Sequence, residues 1–587
     1  MHQGDRNQLA FLAVIGSLVL AAYFLLSRLY YLYFHPLASF PGPTNAATSR
    51  RWIYRVTDSG FPEEELEWLH KKHQTSALRI GPNELHITDV SKYKVIYSQA
   101  NPFPKWGEFY EAFNSPHTVF TEVDAKMHKE RRRLLNPVFS RAGVFKLEPI
   151  IHDKARTMIK KIDRLREKND INVYDALRCL TTEVIMEFAF AKSANMLEEQ
   201  ETSFESWFLT AFDAVAGSLW KMQEFPLLRK VAGCLPDKVV ERLDPQLVNV
   251  FRMLKYAESC LNHYEMHGNT TSHPVVFEDL SSLSHKNKVT EALDILIAGA
   301  DTTASTLTAG MMHILSNPKI HTNLVNALGG VGAYSGNAEV FQLLELEKIE
   351  YLTACVKESL RVGMAVPGRL PRIVPHNAQP FVVDDKVIPP GSIVSISAYT
   401  MHTSEEIWGP DARIFNPDRW LKPESKSLDQ YLCTFSKGSR KCIGQNVAFA
   451  EVTIVLAYFF RSFKMALPPG FQPPERKDKF TMECNPMQSI PIPKLHRLIE
   501  SAQSPTLNRP AIGNVEDAEQ ESGAEISSSP ESSGLVSMRG KGRTASFHDS
   551  SDVAPALLRT NINIHIHING NSHIHRQFFP CILFVPD

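Results

Sequence analysis

Several short segments of this chain carry side chains whose types and spacing suit chemistry as well as packing. The densest runs from Phe435 to Gly444, F-S-K-G-S-R-K-C-I-G, and an apolar helix pattern, QNVAFAEVTIVLAYFF, starts directly after it. Backbone N–H groups of a tight turn and the start of a helix both stabilise negative charge. Cys442 is therefore placed to be a thiolate, a soft and electron-rich ligand. A lone cysteine is by default a buried structural thiol, and that reading is kept for Cys179, Cys234, Cys260, Cys355, Cys433, Cys484 and Cys581. The second segment, A-G-A-D-T-T from Ala298 to Thr303, lies in an apolar helical pattern from about Lys288 to the stop at Asn317-Pro318. It sets the Asp301 carboxyl beside the Thr302 hydroxyl, a pairing that suits proton transfer. Taken alone, such a threonine satisfies its hydroxyl on a carbonyl one turn back. Glu358 and Arg361, in E-S-L-R, share one helical face, by default as a surface ion pair. Three further arginines belong to F-N-P-D-R-W (Arg419), H-K-E-R-R (Arg132) and L-P-R-I-V-P (Arg372).

The segment around Cys442 resembles the haem-binding loop of the cytochrome P450 family, F-x-x-G-x-R-x-C-x-G, at Phe435, Gly438, Arg440, Cys442 and Gly444. A chance match of this kind somewhere in such a chain has a probability of roughly 10⁻⁴. The other segments follow in the family's order. The resemblance implies a cytochrome P450 fold, mainly α with small β-sheets. It implies haem b (iron protoporphyrin IX) as cofactor, with Cys442 as the axial ligand of the iron. Gly438 and Gly444 would let the backbone turn around the sulfur and approach the porphyrin. Phe435 would shield the sulfur, and Arg440 would pair with a haem propionate. On the distal helix, Gly299 would leave room for dioxygen, while Asp301 and Thr302 would deliver protons. Glu358, Arg361 and Arg419 would form a buried cluster that fixes the cysteine loop. Arg132 and Arg372 would contact propionates. His128 stands where the family usually has tryptophan, and it can still donate a hydrogen bond.

The same resemblance implies a monooxygenase that inserts one oxygen atom of O2 into an apolar small molecule. The phrases LRIGPNELHI and HTSEEIWGPDARIFNPDRW look most like fungal members acting in secondary metabolism, including those resembling trichodiene oxygenase, which makes a terpenoid or polyketide intermediate the expected substrate. Pocket walls are expected from residues 114–120, 208–225 and 366–370, from Ala298, and from Pro486-Met487. No flavin or nicotinamide motif occurs, so electrons would come from NADPH through a separate NADPH–cytochrome P450 reductase. Lys437, Arg440, Lys441, Arg131 and Arg133 suggest a basic face for it. Two rivals are a haem–thiolate isomerase or dehydratase that needs no reductase, and a non-catalytic haem-binding sensor. An intact Asp301-Thr302 pair disfavours both.

The elements that must position these groups belong to a chain of 587 residues with 63 basic and 64 acidic side chains, 43% hydrophobic. That balance excludes a nucleic-acid binder, which needs excess Lys and Arg. Eight cysteines without a C-x-x-C pair exclude a disulfide scaffold and a structural zinc site. Residues 9–26 read LAFLAVIGSLVLAAYFLL without a charge, about 27 Å as a helix, close to a bilayer's hydrocarbon core. The expected organisation is a transmembrane anchor over 9–27, a proline-rich spacer over 28–45, a haem–thiolate catalytic domain over 46–500 and a disordered or aberrant tail over 501–587. Arg28, Arg50, Arg51 and Arg55 follow the apolar run. The positive-inside rule then places a single-pass protein in the endoplasmic reticulum membrane, its body on the cytosolic face and in contact with lipid. Between the ends, helical patterns dominate, with short strands near 78–88 and 381–397.

Overall fold

The computed structural model describes residues 3–165, 171–232, 235–243, 247–269, 271, 273–329, 342–376, 379–467, 470–484 and 496–497. The expected tail and Pro486-Met487 lie outside them. The mainly helical character expected from the patterns holds, with four small sheets among the described residues.

The N-terminal apolar helix spans Gln3–Leu29 and continues as a π-helical turn over Tyr30–Phe34. The helix thus extends past Arg28 into the stretch expected to be spacer. Residues Phe11–Phe34 have a mean hydropathy of 2.0 and none of the assessed window is buried. His35 ends it in extended conformation (φ −67°, ψ 143°) because Pro36 disfavours a helical residue before it. The proline-rich segment that follows is packed against the body. Leu37 and Phe40 are buried, Arg79 N–H donates to the Pro41 carbonyl at 2.8 Å, and the Arg79 guanidinium donates to the Tyr31 carbonyl at 2.9 Å. Gly42 allows this approach, since a Cβ there would lie 2.2 Å from the Arg79 carbonyl oxygen.

The largest sheet has four strands in the order Ala77–Gly81, Glu84–Ile87, Ile393–Ser395, Arg372–Ile373. Its first pair is an antiparallel hairpin, and Ile393–Ser395 joins in parallel to Glu84–Ile87. The hairpin Phe381–Val383 with Lys386–Ile388 completes the strands expected near 381–397.

The helical core is built around Thr302–Ser316, which is buried on nearly all sides. It packs against Val173–Phe190, Glu350–Gly363 and the post-cysteine helix Gln445–Ser462. The helix expected to run unbroken from Lys288 is instead two, His285–Ala300 and Thr302–Ser316, interrupted at Asp301 (φ −103°, ψ −30°). The cause lies in the neighbouring helix Val173–Phe190. Its Thr181 hydroxyl donates to the Ala300 carbonyl, and a side chain bonding into the i→i−4 ladder opens a helix locally.

Candidate active site

Residues flanking the break and residues of the cysteine loop line one cavity of about 280 Å³. Cys442 is exposed, whereas Cys179, Cys260, Cys355 and Cys433 are buried as expected of structural thiols. Its exposure is toward this internal cavity, not bulk solvent. The loop is shaped by its backbone. Cys442 N–H donates to the Phe435 carbonyl at 2.8 Å. Gly438 has φ +75°, and a Cβ there would sit 2.3 Å from the Tyr97 carbonyl oxygen. Gly444 is less constrained, its Cβ position lying 3.8 Å from the Cys442 sulfur. Burial raises the thiol's pKa; the Gly444 and Gln445 N–H groups and the Arg132 guanidinium oppose it by favouring the thiolate. Phe435 lies in the cavity wall and packs on Phe449 with centroids 5.4 Å apart.

Arg132, Arg372 and Arg440 also line the cavity, while His128 is buried beside them but outside its wall. Their partners are almost all carbonyls. Arg132 donates to Lys441 at 2.7 Å, and Arg440 to Glu122, Val123 and Asp124 at 2.6, 3.0 and 3.2 Å. Arg372 donates to the Tyr110 hydroxyl at 2.6 Å, and its buried Nε has no partner. Burial and the adjacent Arg372 lower Arg440 to about 10. Burial, then Arg440, Lys105, Arg132 and Arg372, bring His128 down to about 3, so its imidazole is neutral. Cations gathered this closely repel one another unless an anionic group lies among them. A thiol on one wall, apolar side chains around it and this surplus of positive charge fit haem, which presents an iron, a flat apolar ring and two carboxylates.

Ala298, Gly299, Thr302 and Thr303 line the same cavity. The Thr302 hydroxyl donates to the Ala298 carbonyl at 3.0 Å. Gly299 answers a packing demand, since a Cβ there would meet Ile185 Cγ1 at 2.7 Å. Asp301 does not line the cavity. Its Oδ1 accepts from Arg178 Nε at 2.7 Å and from the Tyr174 hydroxyl at 3.2 Å, while its buried Oδ2 has no partner. Burial raises its pKa and Arg178 opposes the rise. Arg178 also pairs with the partly exposed Asp213 at 2.5 Å. Tyr174, Arg178, Thr181 and Ile185 occupy one face of the helix Val173–Phe190 and together shape the break, and no motif in the sequence marks them.

Glu358 is fully buried and far from a surface ion pair. Its two oxygens accept from Arg361 at 2.7 and 2.9 Å, Arg419 at 3.2 Å, Asn416 N–H at 2.8 Å and Trp420 Nε1 at 2.9 Å. Asp411 pairs with Arg419 at 3.0 Å. The cluster reaches the cysteine loop through His402, whose carbonyl accepts from Arg361 at 2.8 Å and whose Nε2 accepts from Cys433 N–H at 2.8 Å. Thr434 adds a bond to the Leu360 carbonyl at 2.8 Å. Trp420, Asp411 and His402 escaped the sequence reading.

Other expectations need correcting. None of residues 208–225 lines the cavity; Phe212 and Ala216 pack against Ala300 instead. Val119, Phe120, Val366, Gly368 and Leu370 do line it, joined by Phe113, Phe480 and Thr481. In the basic face, Arg131 is buried in an ion pair with Glu291 at 3.1 Å and Arg440 is spent on carbonyls, which leaves Arg133 and Lys441 exposed.

A model of the cytochrome P450 family matches residues 52–490. The chain is 29% identical over 480 residues to cytochrome P450 monooxygenase aneF of Aspergillus aculeatus, covering 77% of this chain and 93% of that one. It is 32% identical over 497 residues to cytochrome P450 monooxygenase MO6277 of Ascocoryne sarcoides, covering 80% and 94%. Conidiogenone synthase PchP450 of Penicillium rubens is 29% identical over 459 residues, covering 75% and 89%. A thiol and a broken helix that line one apolar cavity, with cations gathered on its wall and the family model spanning the segment, leave one assignment: the chain is an oxygenase of the cytochrome P450 family.

Proposed function

We propose that this protein is a membrane-anchored haem–thiolate monooxygenase of fungal secondary metabolism, inserting one oxygen atom of O2 into an apolar terpenoid or polyketide intermediate by hydroxylation or epoxidation. The observation that carries the reading is the apolar cavity lined by both Cys442 and Thr302. Haem held by Cys442, Arg132, Arg372 and Arg440 would supply dioxygen activation and the oxidising equivalent. The chain's own residues have three tasks. Phe113, Phe120 and Phe480 hold an apolar substrate and exclude water from it. Thr302 places a hydroxyl on the cavity wall, and Asp301, a carboxylate linked through Arg178 to the partly exposed Asp213, is placed to pass a proton toward it. The cluster on Glu358 keeps Cys442 in place.

Electrons come from NADPH through a separate reductase docking near Arg133 and Lys441. The apolar helix over Phe11–Phe34 spans the endoplasmic reticulum membrane, with the body on the cytosolic face, and substrate arrives from the lipid. The test is comparative mass spectrometry of the source organism's metabolites with and without the gene, alongside reductase-dependent NADPH oxidation. Accumulation of a compound one oxygen lighter than the missing product is expected. Accumulation of an isomer of it, without NADPH use, would replace the monooxygenase by an isomerase. Deleting residues 1–34 should slow uptake of membrane-partitioned substrate; unchanged uptake would refute delivery from lipid.

A further inference from the structure

His128 replaces the family's usual tryptophan, and it is buried, uncharged and off the cavity wall. The wall holds instead a cation from a distant segment. Lys105 forms an isolated antiparallel bridge with Arg372. The bridge is held by Ile373 N–H on the Pro104 carbonyl at 2.8 Å and Trp106 N–H on the Pro371 carbonyl at 3.4 Å. Lys105 is only 7% exposed, and what it shows faces the cavity. Its ammonium lies 4.0 Å from the Tyr110 ring centroid and 4.9 Å from that of Phe120. One N–H donates to the Phe120 carbonyl. Its partners among the described residues are thus two rings and a carbonyl, without a carboxylate in ion-pair contact. Burial, Arg372 and Arg440 hold its pKa well below the ordinary lysine value, against the weaker pull of the Asp294 and Glu122 carboxylates. Ring contacts favour a cation but do not replace a counter-charge.

We propose that Lys105 binds a propionate of haem together with Arg372, supplying from the 104–106 segment the grip that His128 does not. The inference rests on the haem reading above. A carboxylate on the substrate would offer the same chemistry. The cofactor is favoured because the bridge ties Lys105 to Arg372, one of the three arginines gathered on the wall of the cavity that also holds Cys442.

The experiment uses the full-length holoenzyme and three variants, Lys105→Met, Lys105→Gln and Lys105→Arg. Haem loss is followed by transfer to excess apomyoglobin, and the Fe(III)/Fe(II) midpoint potential is measured in parallel. Loss of a charge-assisted bond should speed haem loss about 10- to 100-fold in Lys105→Met. Lys105→Gln, which keeps a donor without charge, should fall between, and Lys105→Arg should stay near wild type. The potential should fall in Lys105→Met and recover in Lys105→Arg, because a nearby cation favours the reduced iron. If Lys105→Met keeps wild-type haem loss and potential but no longer binds a fatty-acid probe such as laurate, the residue is a substrate receptor and the proposal is overturned. Unchanged behaviour in all three assays overturns it as well. Failure of the underlying reading looks different: the wild-type protein itself would carry no haem.

Discussion

Replacing Glu358 by alanine removes the acceptor for five hydrogen bonds at once. The cost falls unevenly. Arg419 keeps Asp411 as a counter-charge at 3.0 Å, whereas Arg361, 1% exposed, is left with the carbonyls of His402, Ala412 and Ile414. Removing one partner of a buried charged pair costs about 3–5 kcal/mol. A domain is stable by only about 5–15 kcal/mol, so the variant should fold marginally. The damage should concentrate where Arg361 holds His402, and His402 holds Cys433. The loop bearing Cys442 then loses its support, and purified Glu358→Ala should contain little or no haem by the pyridine haemochrome assay. Glu358→Gln keeps an acceptor oxygen but not the charge, and it should retain an intermediate amount. Full haem content and an unchanged melting temperature in Glu358→Ala would refute the reasoning, since a buried arginine would then be shown to need no counter-charge here.

Gly438→Ala should cost about 1–3 kcal/mol from positive φ alone, with further loss because its Cβ meets two carbonyl oxygens; lowered haem content and thermal stability check this. Gly299→Ala should push the distal helix from Ile185 and destabilise the fold, and adding Ile185→Ala should recover most of the loss in a double-mutant cycle. Glu451 is buried on the post-cysteine helix against Thr303, and burial raises its carboxyl to about 8. A carboxyl raised on folding binds more protons folded than unfolded. Wild-type stability should therefore fall as pH rises from about 4.5 toward 8 relative to Glu451→Gln, by on the order of a few kcal/mol. Melting curves that stay parallel at pH 5 and pH 8 would refute the assignment.

The legible parts of this site are those written in one stretch of chain. Phe435–Gly444 is a contiguous loop whose glycines and cysteine carry their own spacing, and the mainly α character follows from apolar periodicity. What the sequence could not display are contacts between distant segments. Arg178 meets Asp301 across 123 positions, and Cys433 meets His402 across 31. Arginines in helical patterns are read by default as solvated, yet Arg131, Arg178 and Arg361 are all buried in ion pairs. The break at Asp301 was equally hidden, because it depends on where another helix places Thr181, not on a proline or glycine in the broken one.

The Glu358 cluster has a consequence for how such a protein diversifies. Its members, apart from the cysteine loop they support, stand outside the cavity wall. The aromatic side chains of Phe113, Phe120 and Phe480 line that wall, pack on one another and take no part in that scaffold. Support and selectivity are therefore separate inheritances. A change at the aromatic wall alters what fits without loosening the sulfur, so one architecture can wander through many skeletons of natural products while its reactive centre stays still.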